Sequence, residues 1–476
     1  MGESLASVQK FDVPIEATTP SLGALKAFSM GITTQREKGE AVALPFYKRA
    51  LELDPNFALA YASLGLDYGN MGEAGKSAEN IQKAYDLRDH VSEREKYRIA
   101  GLYYSNVTGD IDKANEAYAL WGQSYPNDFV PHSNTGVNLT SLGQFEKAEA
   151  ESREALRLEP NASTNYGNLG QILVILNHME EAKSIFDQSL ARNLDGVGLR
   201  FPIYQYYFLH DDTAEMAKQV AWGDGKPGVE DQMFALQSES EVYYGRLNSG
   251  RSYSRRAMES ALRADEKETA ATWQVMAALR EAELGNNGLV RQQIAAALAL
   301  APGRDVKVVA AMASARIGDA AQALKLIDQL NQSFPFNTAV QVYWLPTIRS
   351  AVELSRNNPA KAIELLQSVR PYEIGVPYPF GSATLYPVYL RGQAYLQLRQ
   401  GAPAAAEFQK IIDHRTAVVN CPLGALARLQ LGRAYALGGD KQKARAAYQD
   451  FFTLWKDADS DIPMLKEAKA EFGKLQ

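Results

Sequence analysis

The chain has 476 residues, 46% of them hydrophobic and 22% charged, with a formal net charge of −6 at pH 7. This is a globular composition whose length alone suggests about three domains of ~150 residues, and whose acidic balance disfavours a general nucleic-acid surface. A single cysteine, Cys421, excludes an internal disulfide, and no apolar run reaches the roughly 18 to 20 residues that span a bilayer.

Residues 1–22 carry Pro14, Pro20 and the polar run EATTPS, and read as a linker without an apolar signal core. From residue 23 a pattern returns with a period of about 34, and it is clearest from His132 to Pro160. There Gly136 sits in one apolar helical pattern, Gly143 breaks it, and a second pattern carries Ala148 and Ala155 before Pro160 closes the unit. Two antiparallel helices explain the arrangement. Small residues stand where the helices cross closely, and proline stops the second helix.

The first array, 23–195, holds five such units. Unit one uses Gly31, Ala43, Tyr47, Ala50 and Pro55, and unit two Leu64, Gly65, Tyr68, Ile81 and Ala84. Unit three keeps Gly109, Ala114, Tyr118 and Pro126, but Trp121 replaces a small residue, and the first helix is read as lacking its small position. Unit five has Leu169, Gly170, Leu173, Ala182 and Phe186.

Residues 196–230 form a degenerate unit in which Met216 replaces the expected alanine, ending in a Gly/Pro-rich break near 223–230. The second array, 231–456, resumes weakly through Gly250 and Ala257, then clearly through Ala278, Ala297, Ala311 and Ala323. A loop rich in proline and aromatic residues interrupts it at 371–387, which could fold over a groove, plug it, or simply pack on unit ten. Residues 457–476 read as a capping helix, with Ser460 or Asp461 as its N-cap and Pro463 in its first turn.

This pattern resembles the tetratricopeptide repeat, whose signature is a small residue in helix A followed by alanine, aromatic, alanine and proline across helix B. The resemblance implies an all-α, tetratricopeptide-like α-α superhelix of about eleven or twelve helix pairs with a C-terminal capping helix. Its working surface is the concave face lined by the first helices. Asn134 and Asn168 hold equivalent positions 34 apart, and in the family such asparagines hydrogen-bond a peptide main chain, an amide offering both donor and acceptor. Val130, Val137, Gln171 and Val174 stand beside them as groove candidates. The family's two-carboxylate clamp is missing, since Ser133, Val137, Gly198 and Pro202 occupy its positions.

Catalytic and cofactor motifs each fall short. DADSDIPMLKEA imitates a calcium loop through Asp457, Asp459 and Asp461, yet has Ile462 where the sharp turn requires glycine and Ala468 where a bidentate glutamate belongs. GDGKPG has Pro227 where a phosphate loop has Ser or Thr. His90, His132, His178, His210 and His414 lack an i, i+4 partner, so no metal site is expected. Cys421 reads as structural, and the aromatic run YQYYFLH and Tyr243 and Tyr244 as core.

A wider resemblance rests on SVQKFDVPIEATTPSLGALKAFSMG, YPVYLRGQAYL, NCPLGALARLQLGRAYAL and LWKDADSDIPMLKEAKAEFGKLQ. These resemble the C-terminal repeat region of large bacterial signalling proteins, notably those with an N-terminal Ser/Thr kinase-like domain, although the same sort of region also follows DNA-binding or cyclase-like output domains. The resemblance implies that Met1 begins a fragment lacking the kinase, with no catalytic or cofactor-binding residues of its own. The expected partner is a protein or peptide of unknown identity, with homodimerisation as the second reading, no nucleic acid and no membrane insertion. The expected location is cytoplasmic, or extracytoplasmic if the parent has an upstream membrane span.

Overall fold

The computed structural model describes residues 18–475, so the expected linker lies largely outside the described residues. Twelve helix pairs run from Leu22–Lys38 with Glu40–Leu53 to Pro422–Leu437 with Lys441–Leu454, followed by Pro463–Gly473. No strand occurs among the described residues: the fold is an all-α solenoid.

The small residues act where the period places them. The second-helix alanines Ala43, Ala114, Ala148, Ala182, Ala257, Ala297, Ala323, Ala362, Ala404 and Ala444 are all fully buried. A Cβ built on Gly170 would lie 2.1 Å from the Phe186 ring, so only glycine allows that crossing. The third pair corrects an expectation: Gly101 is its small position, since a Cβ there would lie 2.2 Å from the Tyr118 ring. Trp121 is accommodated at 2% exposure, its indole N–H without a partner among the described residues.

First helices end on a left-handed residue that frees the chain to turn back. Gly143 (φ 76°) does this in the fourth pair and Asn177 (φ 62°) in the fifth. Asparagine pays little for this conformation, which is why the turn survives without glycine. Second helices often begin with an aspartate cap, such as Asp110 accepting from Lys113 N and Asp319 from Gln322 N. The terminal helix departs from expectation. Its N-cap is Ile462, without a side-chain cap bond, while Pro463 does occupy its first turn.

The sixth unit folds as Val197–Leu209 and Thr213–Gly223. Tyr204, Met233 and Leu236 pack together across the Gly/Pro-rich stretch, with Val197, Phe201, Met216 and Val229 around them. A single large apolar core then extends from Tyr166 to Ala468, whereas the first pairs bury smaller clusters of their own.

The reason for that core is a seam between two turns of the superhelix. The chain returns after roughly 200 to 240 residues, bringing the end of an early first helix onto a late segment. Gly109 O accepts from Thr338 N at 2.9 Å, and Thr338 Oγ1 accepts from Ile111 N at 3.2 Å. Ile175 O accepts from Thr416 Oγ1 at 2.9 Å, and Tyr243 O from the Trp455 indole at 2.9 Å. The acidic run that imitates a calcium loop joins this seam: Asp459 accepts from Asn248 N at 2.7 Å and donates its own N–H to Gly245 O. These bonds satisfy the backbone groups that every helix end leaves open.

Candidate functional site

The anticipated groove residues stand on the first helices of the fourth and fifth pairs, Phe129–Ser141 and Ser163–Ile175. Asn168 donates from Nδ2 to Ser133 Oγ at 3.4 Å, and Asn134 makes a polar contact with the Tyr118 hydroxyl. Both asparagines are half-buried and tie their helix to the preceding pair. Val137 is 42% exposed beside Asn134. Val130 packs against the Tyr118 and Trp121 cluster, and Val174, at 2% exposure, lies in the main core rather than on the groove surface.

Gln171 leads to a second glutamine that is not among the groove residues expected from sequence. Its Nε2 donates to Gly381 O at 3.4 Å, and Gln205, thirty-four residues on, donates to the same oxygen at 3.1 Å. Gln205 sits inside YQYYFLH, a run that reads as core, and it is indeed 3% exposed. The signal was present in the spacing from Gln171. The 371–387 loop thus lies against first-helix residues of pairs four to six: Val376 N also donates to Thr140 O at 3.3 Å.

The loop is anchored at both ends. Glu373 meets Arg391 at 2.8 Å and also pairs with Lys410, while Arg391 holds Glu407 at 2.7 Å. Arg391 is 2% exposed, and a buried guanidinium of this kind is stable only with such partners. On the other side Ala383 N donates to Ala417 O at 3.0 Å, and Thr384 and Leu385 are fully buried.

Three ionisable features outside the groove bear on chemistry. Glu149, His178 and Glu181 bring ligand atoms within 4.8 Å of one another, a cluster the sequence spacing does not reveal. Arg153 pairs with Glu149 at 2.6 Å and with Glu181 at 2.7 Å, so a resident cation already balances both carboxylates. The Cys421 thiol is buried and pushed well above its ordinary range, chiefly by desolvation and further by the Glu239 charge, which makes it a poor nucleophile.

The third feature lies at the seam. Burial raises the Glu266 carboxyl to about 8, with Asp231 and Glu73 adding to the rise and Lys76 opposing it. Asp231 is raised to about 6 by burial, against a 2.8 Å bond from the Trp273 indole. Neither Glu266 oxygen has a hydrogen-bond partner among the described residues. Among the described residues no helix is long and apolar enough to cross a membrane.

Comparison with known proteins finds the repeat at two places in the chain. The tetratricopeptide repeat family matches residues 163–195 and 426–457, which are the fifth and twelfth pairs. Anaphase-promoting complex subunit 3 of Schizosaccharomyces pombe is 25% identical over 195 residues, covering 40% of this chain. The match spans only 29% of that relative's length. Among solved structures, yeast Tom70 aligns over 95% of each chain at 14% identity with a TM-score of 0.33. PilW, a type IV pilus biogenesis factor, covers 42% of this chain and 92% of its own at 16% identity and a TM-score of 0.31.

Proposed function

We propose that this chain, a tetratricopeptide-repeat array, is a non-catalytic scaffold that binds a protein or peptide partner on the face formed by its first helices. The observation that carries the reading is the row of half-buried polar side chains on consecutive first helices, Ser133, Asn134 and Asn168, beside the exposed Val137. Amides spaced by one repeat suit a main chain, which presents donors and acceptors in alternation, and an exposed valine adds apolar area. In the array immobilised as bait, Asn134→Ala with Asn168→Ala lowers capture of its partner. Undiminished capture would remove these residues from the binding surface.

By its resemblance to the repeat regions of bacterial signalling proteins, the array belongs beside a Ser/Thr kinase-like domain, and we place it in the cytoplasm. A second reading, self-association of the parent protein, draws on the first helix pair. Leu22 is 81% exposed and Leu53 40%, and the Leu53 side chain lies against Gly23, which leaves an apolar edge at the start of the solenoid. Sedimentation across concentration separates the readings: a strict monomer at high concentration excludes self-association.

A further inference from the structure

The 371–387 loop makes contacts of a different kind at its centre and at its ends. The ends are fixed by buried charge and by fully buried Ala383, Thr384 and Leu385. Between them, Val376 to Ser382 crosses the first helices of pairs four, five and six without joining a helix. Main-chain bonds hold it: Val376 N to Thr140 O, both glutamine amides to Gly381 O, and the Trp344 indole to Tyr378 O at 2.9 Å.

A buried glutamine amide takes a hydrogen-bond partner even on a remote loop, because an unpaired amide in the core is costly. Gln205 does so, with a side chain 3% exposed and an acceptor 176 residues away. Paired with Gln171 one repeat earlier, it forms a two-donor cradle for one peptide carbonyl. The cradle also selects what may present that carbonyl. A Cβ on Gly381 would lie 2.4 Å from the Phe201 ring, and one on Gly375 would lie 2.3 Å from Ser141 O. The rings of the segment divide in the same way. Phe380 packs on Trp344 at 5.5 Å, whereas Tyr378 is 62% exposed.

We propose that pairs four to six form a peptide site occupied by the chain's own Val376–Ser382, and that an external protein segment of the same chemistry binds there by displacing it. The chemistry is specific: a segment bearing proline and aromatic residues, with glycine at the position whose carbonyl meets Gln171 and Gln205. This deepens the scaffold reading and rests on it, since it names the ligand class and the control of the same face. The anchors at Glu373 and Ala383 stay in place while the centre leaves, so displacement exchanges a few main-chain bonds and the packing of Val376 and Phe380 for the partner's equivalents. An intramolecular occupant has a high effective concentration, and a free peptide must outcompete it.

The test uses a fluorescent peptide of residues 374–384 and the full chain. In one variant a Gly/Ser spacer of equal length replaces residues 376–381, leaving both anchors. Fluorescence polarisation is expected to show binding to the spacer variant at least tenfold tighter than to the unmodified chain. Adding Gln171→Met and Gln205→Met should then weaken that binding at least tenfold. A folded spacer variant that binds no peptide, or one whose binding ignores both glutamine substitutions, overturns the proposal. If the spacer variant does not fold, Gly381→Val in the otherwise intact chain pushes the segment off Phe201. Faster amide exchange across 376–382 together with peptide binding supports the proposal, and unchanged exchange or no binding overturns it. These readouts stand apart from partner capture. If neither the unmodified nor the spacer chain captures a partner, the scaffold reading fails while the peptide result stands.

Discussion

Glu73 caps a helix that begins nearly two hundred residues after it. Its Oε1 accepts from the backbone N–H groups of Glu268 at 3.0 Å and Thr269 at 3.1 Å, in the first turn of Lys267–Glu283. Thr269 returns the contact by donating its hydroxyl to Met71 O at 2.8 Å. A negative group at a helix N-terminus satisfies open donors and meets the positive end of the helix dipole. Glu73→Ala therefore leaves two donors without their partner at a buried joint, and should cost about 1 to 3 kcal/mol. Urea unfolding is the measurement; a cost below about 0.5 kcal/mol would show that water replaces the cap.

Stability should fall as pH rises through the near-neutral range. The folded-state Glu266 carboxyl, at about 8, holds its proton more tightly than the unfolded chain does, where a glutamate releases it near 4.5. Between those values the native state binds more protons, so stabilisation present below about 4.5 is lost as pH climbs toward 8. Asp231 and Glu73 face Glu266 with like charge, and Lys76 opposes them. Glu266→Gln should flatten the decline in melting temperature between pH 5 and pH 9. Asp67, raised to about 8 by burial and by Glu40, leaves a residual slope. An unchanged profile in the variant would assign the decline elsewhere.

Two glycine substitutions should move stability in opposite directions. In helix interiors Gly→Ala gains roughly 0.5 to 1 kcal/mol from propensity alone. Gly288, in the first turn of Asn287–Leu300 and with no described atom within 4 Å of a built Cβ, should show a gain of that sign and of smaller size. Gly170 should instead lose about 1 to 3 kcal/mol, because its Cβ meets the Phe186 ring and the crossing must open. Thermal melting of the two variants decides it, and a stabilised Gly170→Ala would contradict the close approach.

Removing the buried guanidinium should be among the most damaging single changes. Arg391→Met leaves Glu373 and Glu407 without their main partner in a buried setting, at a cost of about 3 to 5 kcal/mol. In Glu373→Gln the buried Arg391 keeps Glu407 as a partner, so that substitution should cost less than Arg391→Met. Equal losses in denaturant titrations would mean that the two ends of the network act as one unit.

The repeat was legible because close helix crossings demand small residues at fixed intervals, and Gly31, Ala43 and Ala50 advertise them. Gly101 escaped notice for a local reason: the aromatic-rich helix around it masks the spacing, although Tyr118 needs it as Phe186 needs Gly170. Turn residues were partly legible, since Asn177 adopts the same left-handed backbone as Gly143 without being glycine. The seam was not legible at all. Contacts such as Glu73 with Thr269 or Gly109 with Thr338 join residues about two hundred apart, and no local pattern encodes the pitch that brings them together. Gln205 was hidden for another reason: a polar residue within an aromatic run looks incidental until the 34-residue interval is carried forward from Gln171.

The seam also decides how the molecule answers a pull. An open solenoid held only by neighbour contacts stretches like a spring and yields one unit at a time. Here extension must first part Tyr243 from Trp455 and Ile175 from Thr416, long before any helix is strained. Under force from its ends the chain should hold its length, then give way in one large opening step that precedes the sawtooth of individual pairs.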